Sequence, residues 1–168
     1  MSDDALPRRK LMRLQGYDYS QEGAYFVTIC VEHRLHLFGS IQNETMHLNP
    51  AGKMIVGWWQ KVSEKYPDVE LDQWVVMPNH FHGIVVLCRD TPMPRQTALS
   101  DVMRWFKSMT TTAYIRGVHA EQWTPFPGSL WQRSYYDHII RSESDLQRIR
   151  EYIHQNPTRW HVDKLYIP

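Results

Sequence analysis

At 168 residues, 42% of them hydrophobic and 22% charged, the chain is long enough to bury one core of its own, and its composition excludes a disordered protein. A net charge of +1 excludes a uniformly basic polyanion binder, so any basic footprint must be local. Cys30 and Cys88 stand far apart without a C-x-x-C partner, which excludes a disulfide scaffold and a zinc ribbon and leaves two free, small hydrophobes. The sequence reads as a basic tail, 1–16, carrying Arg8, Arg9, Lys10 and Arg13, followed by one domain over 17–168. The tail has no apolar run of signal-peptide type and no stretch approaches a membrane span, so the expected setting is cytoplasmic, with no membrane partner.

In chain order, Ala24–Val31 (A-Y-F-V-T-I-C-V) predicts a strand apolar on both faces. A hairpin follows over Phe38–Leu48, turning at Asn43-Glu44. Asn49-Pro50 reads as an N-cap with proline in the first turn, opening a helix to about Lys65 with Met54, Ile55, Trp58, Trp59 and Val62 at helical spacing. Two strands, Glu70–Met77 and His80–Cys88, flank a Pro78-Asn79 turn. A helix over about Asp101–Arg116 places Val102, Trp105, Phe106, Met109 and Ala113 on one face and Arg104, Lys107, Ser108 and Thr111 on the other. A strand lies within Leu130–Ile140. The last helix is capped by Ser144, with Gln147 at the capping-box position, and stops at Asn156 because Pro157 follows.

With the hairpin set aside the order is β-α-β-β-α-β plus one helix, an α+β ferredoxin-like arrangement with an antiparallel sheet. Right-handed crossovers then set the first strand and the His80 strand side by side at the sheet centre. Gly83–Leu87 is apolar throughout, as a central strand should be, which makes the histidines at its start the anomaly.

His80 and His82 are two apart on a strand, so both project from one face, roughly 7 Å apart at the backbone, with Phe81 turned the other way. Two imidazoles so placed either form a structural pair or close on one divalent ion, and an ion would need further ligands. On the last helix, Leu146, Ile149 and Ile153 form the buried stripe, while Tyr152 and Asn156 stand four apart along its edge. His154 faces solvent. By themselves Tyr152 and Asn156 read equally as an edge-of-core tyrosine and a helix-end residue.

Five segments, G-Y-D-Y-S-Q (Gly16–Gln21), V-V-M-P-N-H-F-H-G (Val75–Gly83), F-K-S (Phe106–Ser108), W-Q-R-S-Y-Y-D-H-I-I-R (Trp131–Arg141) and Y-I-H-Q-N-P (Tyr152–Pro157), resemble the one-tyrosine HUH transposases. They are most similar to the REP-associated tyrosine transposase branch, and the resemblance runs from about Gly16 to Trp160. It implies His80 and His82 as metal ligands, Asn156 as a third, polar ligand where insertion-sequence relatives often carry glutamine, and Tyr152 as the nucleophile on the extra C-terminal helix. The cation implied is Mg²⁺ or Mn²⁺. The substrate implied is single-stranded DNA, folded as a hairpin, and the assembly is a monomer or a homodimer. Forming phenolate at neutral pH from a tyrosine of pKa about 10 costs on the order of 4 kcal/mol, which is why such chemistry calls on a metal.

Tyr135 and Tyr136 are rival nucleophiles on a strand, alternating faces, one of them expected in the core and neither brought by its spacing to the His80 face. DNA contacts are expected from Lys107 and Arg104 and from Arg8, Arg9, Lys10 and Arg13. Two other functions remain in view: a non-catalytic single-stranded nucleic-acid-binding protein, although the RNP aromatic pattern is missing, and a phosphodiesterase that activates water. A zinc deaminase lacks its H-x-E and P-C-x-x-C motifs.

Overall fold

The computed structural model describes residues 21–90 and 92–168. Its β-branched and aromatic runs form β1 (Gly23–Cys30), β4 (Val69–Met77), β5 (His80–Leu87) and β6 (Tyr136–Ile140), and a hairpin of β2 (Gly39–Gln42) and β3 (Thr45–Leu48) stands apart. The four long strands make one antiparallel sheet in the order β4-β5-β1-β6. This is the ferredoxin-like order, with β1 and β5 at the centre as the crossover argument requires.

Helices cover both faces. On one side, α1 (Pro50–Gln60) and α3 (Leu99–Glu121) bury Ile55, Trp59, Val102 and Phe106 against Tyr25, Val27, Phe81 and Val85. On the other, α4 (Glu143–Gln155) lays Ile149 and Ile153 on Phe26 and Ile84. Residues 80, 82 and 84 share the α4 face because side chains alternate along a strand. Two side-chain clamps hold α4 in place: Arg150 Nε donates to Asp72 Oδ1 of β4 at 2.9 Å, and His138 of β6 meets Asp145 at 2.8 Å.

The local signals in the sequence act largely as read. Asn49 Oδ1 accepts from the Gly52 backbone at 2.9 Å and caps α1, and Asn43 and Glu44 take positive φ (49° and 60°) to turn the hairpin. Three boundaries differ. The first helix breaks at Lys61, and a single turn, α2 (Val62–Lys65), completes it. Helix α3 is longer at both ends than Asp101–Arg116, because Gly117 continues the helix instead of stopping it. A Cβ there would lie 2.2 Å from the Trp123 ring, so the glycine makes room for that ring, and the left-handed Gln122 (φ 57°) closes the helix. The buried stripe of α3 also turns toward Met103, Thr110 and Tyr114, leaving Met109 and Ala113 half-buried, since Thr110 is anchored inside by Trp131 Nε1 at 2.9 Å. Strand β6 falls at Tyr136–Ile140, within the expected stretch, and Trp131 makes a single bridge to Val31. The cap of α4 is Ser142, whose Oγ accepts from the Asp145 backbone at 3.1 Å, rather than Ser144.

Candidate active site

Histidines 80 and 82 enter the α4 face at the start of β5, with ring centroids 4.6 Å apart and almost no exposure. Their Nδ1 atoms are occupied: His80 Nδ1 meets Asn79 Oδ1 at 2.7 Å and His82 Nδ1 meets Thr28 Oγ1 at 2.7 Å. Asn79 spends its amide N–H groups on the carbonyls of Leu165 (2.9 Å) and Arg34 (3.4 Å), so its oxygen faces His80 and can only accept. His80 therefore carries its proton on Nδ1 and presents a bare Nε2 lone pair, the tautomer a metal ligand needs. Burial pushes both imidazoles well below their usual pKa; the nearby Asp163 carboxylate opposes this at His80, and the neighbouring His80 adds to it at His82. Both are neutral near pH 7.

The end of α4 meets them. The Tyr152 ring stands edge-on to His82 at 5.4 Å and to Phe26 at 6.0 Å, and the residue is 38% exposed. Burial and then the Asp163 carboxylate raise its pKa, with the Asn156 side chain opposing, so the fold alone does not create a phenolate. Asn156, one turn on, is buried and donates Nδ2 to Asp163 Oδ2 at 3.3 Å. Nε2 of His80, Nε2 of His82 and Oδ1 of Asn156 are all buried with no hydrogen-bond partner among the described residues. Three buried lone pairs left without donors are costly in a folded core and suit a divalent cation, so the residues present fit one.

The site opens into a cleft of about 1080 Å³ between α4 and the sheet, and Arg34, Arg148, Arg159 and Lys164 line it. None of these four stands out in the sequence, nor does Asp163 or Asn79. The proposed cations sit elsewhere. Arg104 pairs with Asp101 at 2.6 Å on α3, across the sheet from the histidines. Lys107 Nζ donates to the carbonyls of Gln132 (2.7 Å) and Arg133 (3.0 Å), so it reaches the cleft wall through that loop. Arg8, Arg9, Lys10 and Arg13 lie outside the described residues. Of the rival tyrosines, Tyr135 is in the core as expected of one of them. Tyr136, 47% exposed, lines the cleft on the histidine face, contrary to the spacing argument: β6 pairs with β1 so that Tyr136 lies opposite Thr28, itself opposite His82. Both cysteines are free and half-buried, Cys30 at the cleft.

The family described as "Transposase IS200 like" matches residues 25–156, from β1 through Asn156. An uncharacterized protein of Haemophilus influenzae is 36% identical over 168 residues, covering 95% of this chain and 93% of its own. The structure of a REP-associated tyrosine transposase bound to a REP hairpin superposes with a TM-score of 0.61 at 24% identity, covering 90% of this chain and 76% of that one. A putative transposase from Deinococcus radiodurans R1 has a TM-score of 0.50 at 17% identity, over 84% of this chain and 95% of its own. The chain belongs to the IS200-like transposase family, a class of enzymes that act on DNA, and its fold is that of a REP-associated tyrosine transposase. No helix among the described residues is long and apolar enough to cross a membrane.

Proposed function

We propose that this chain nicks and rejoins single-stranded DNA through Tyr152, in a metal-dependent transposase reaction. The observation that carries the proposal is the meeting, within one half-open cleft, of a partly exposed tyrosine with two neutral imidazoles whose Nε2 atoms lack partners. His80, His82 and Asn156 would hold Mg²⁺ or Mn²⁺. When bound, the cation supplies Lewis-acid activation of the scissile phosphate and offsets charge in the transition state. The phenol oxygen of Tyr152 attacks phosphorus, the bond to the 3′ oxygen breaks, and the proton given up by tyrosine ends on the departing 3′-hydroxyl. The 5′-phosphotyrosine keeps the energy of the ester, so a 3′-hydroxyl reverses the step and releases Tyr152 with no nucleotide cofactor. The stacked rings of Phe26 and His82 together hold the edge of Tyr152, which limits the freedom lost on attack.

Strand binding in this reading falls to Arg34, Arg148, Arg159 and Lys164 in the cleft. Lys107, Arg104 and the tail cations Arg8, Arg9, Lys10 and Arg13 contact DNA that extends beyond it. The hairpin bound by the REP-associated neighbour supports a hairpin-forming substrate.

The test is incubation with labelled hairpin-containing single-stranded DNA and Mn²⁺. Wild type should form a covalent band carrying label from the fragment downstream of the break, and chelator should prevent it. Tyr152→Phe should lose the adduct while still binding DNA, and Tyr135→Phe and Tyr136→Phe should keep it. An adduct that survives in Tyr152→Phe and disappears in Tyr136→Phe would move the nucleophile to β6. Cutting without any adduct would favour a water-activating phosphodiesterase, and binding without cutting a non-catalytic module.

A further inference from the structure

We propose that Asp163 is an anionic ligand of the same cation site, so that the chain supplies two imidazoles and a carboxylate before any DNA phosphate arrives. This inference rests on the metal reading of His80 and His82 given above. Ligand atoms of His80, His82 and Asp163 all lie within 4.8 Å of one another. Three ligand atoms about 2.1 Å from one ion stand about 3.0–3.6 Å from one another, so movement on the order of an ångström closes the set.

The carboxylate has capacity to spare. Asp163 Oδ1 accepts from the Leu165 backbone at 2.7 Å and Oδ2 from Asn156 Nδ2 at 3.3 Å. A carboxylate offers about four lone-pair positions, so about two remain after these neutral donors are served. The Asn156 bond also orients both groups, because donating Nδ2 to Asp163 leaves the Asn156 carbonyl oxygen free for the cation.

Contacts beyond α4 also fix its position. Asp163 sits in the segment after that helix, its own N–H donating to the Trp160 carbonyl at 3.0 Å and its carbonyl accepting from Tyr166 at 2.9 Å. Trp160 is buried against His80 at 5.7 Å, and the Leu165 carbonyl is held by Asn79, the residue that sets the His80 tautomer. One side chain at the β4–β5 turn thus ties together a histidine and the strand of chain that delivers the carboxylate.

Charge gives the reason for such an arrangement. A divalent ion among buried neutral imidazoles and an amide would leave its charge unbalanced, and one carboxylate removes half of it. A mixed set of two nitrogens with carboxylate and amide oxygens suits Mn²⁺ in affinity over Mg²⁺.

The test is Mn²⁺ binding, followed by electron paramagnetic resonance, to the full chain stripped with chelator and free of DNA. Wild type should bind one ion. Asp163→Asn, which keeps shape and removes charge, should weaken binding at least about ten-fold, the scale of loss seen on disturbing groups around metal ligands. His82→Ala should abolish it. Wild-type affinity in Asp163→Asn together with loss in His82→Ala would overturn the Asp163 ligand and leave the histidine site standing. Undiminished binding in both would overturn the metal site itself. Should Asp163→Asn fail to fold, wild-type protein with ¹³C-labelled aspartate decides the matter. With one equivalent of Mn²⁺, electron–nuclear double resonance should show the ¹³C coupling of a directly bound carboxylate, and its absence would reject ligation.

Discussion

The two buried imidazoles give the protein a pH dependence opposite in sign to that of a histidine that gains an acidic partner. In the unfolded chain each titrates near 6.5. In the fold, burial holds His80 down to about 4 and His82 well below its usual value. Between these limits the unfolded chain binds more protons, so stability rises with pH and is lost as pH falls from about 6.5 toward about 4. Above about 6.5 both states are neutral at these positions and the contribution is flat. At pH 5 His80 should cost on the order of 2 kcal/mol relative to pH 7.5, and His82 adds to the loss in the same direction. Thermal melts in chelator should show the midpoint falling over this window, and a His82→Gln variant should show a shallower fall. An equal slope in that variant would mean that carboxylates elsewhere dominate. Adding Mn²⁺ should steepen the dependence, because protons and the cation compete for the same Nε2 lone pairs.

Among the elements, β5 carries the tightest constraint. It places histidines on one face and, at Gly83, brings the opposite face against α1. A Cβ at Gly83 would lie 2.7 Å from the Trp59 ring and 2.9 Å from the Phe81 ring, both in the aromatic core with Phe106. Gly83→Ala should therefore lower stability by about 1–3 kcal/mol through overpacking, measured by urea unfolding. A neutral result would mean that Trp59 moves aside freely. Elements with a strict period were legible in the sequence. The two-residue period put His80, His82 and Ile84 on one face and Phe81 on the other, and the four-residue spacing in α4 put Tyr152 and Asn156 together at its edge. Where no period operates, the sequence was silent. Asp163 follows α4 in an irregular segment whose direction is set by Trp160 and by Asn79, 86 residues before Leu165. Tyr136 needed the register of β6 on β1, a tertiary pairing that strand alternation alone does not give. The full length of α3 was not legible because the ring that fills the missing side chain of Gly117, Trp123, lies beyond the helix.

At the scale of the whole molecule, a net charge of +1 hides an uneven distribution. Four cations from three separate parts of the chain converge on one cleft: Arg34 after β1, Arg148 on α4, and Arg159 and Lys164 beyond it. Only the folded sheet brings them together, and they flank the one face that also carries Tyr152 and the histidines. Cations on α3 face the other way from the sheet, Arg104 paired with Asp101 and Lys107 bound to loop carbonyls. If a single strand runs through the cleft, its affinity should fall with salt, and the logarithmic slope should carry about 0.7 for each phosphate neutralised. The double variant Arg148→Ala, Arg159→Ala should then flatten the slope by about 1.4. The double variant Arg104→Ala, Lys107→Ala should change it less on an oligonucleotide short enough to occupy the cleft alone. Fluorescence anisotropy across a salt series measures both. Cleft variants with an unchanged slope, beside α3 variants with a flattened one, would place the strand on the far face of the sheet. That result would separate the DNA from Tyr152 and undo the proposed reaction along with the binding mode, because a nucleophile must lie within contact of the phosphate it attacks.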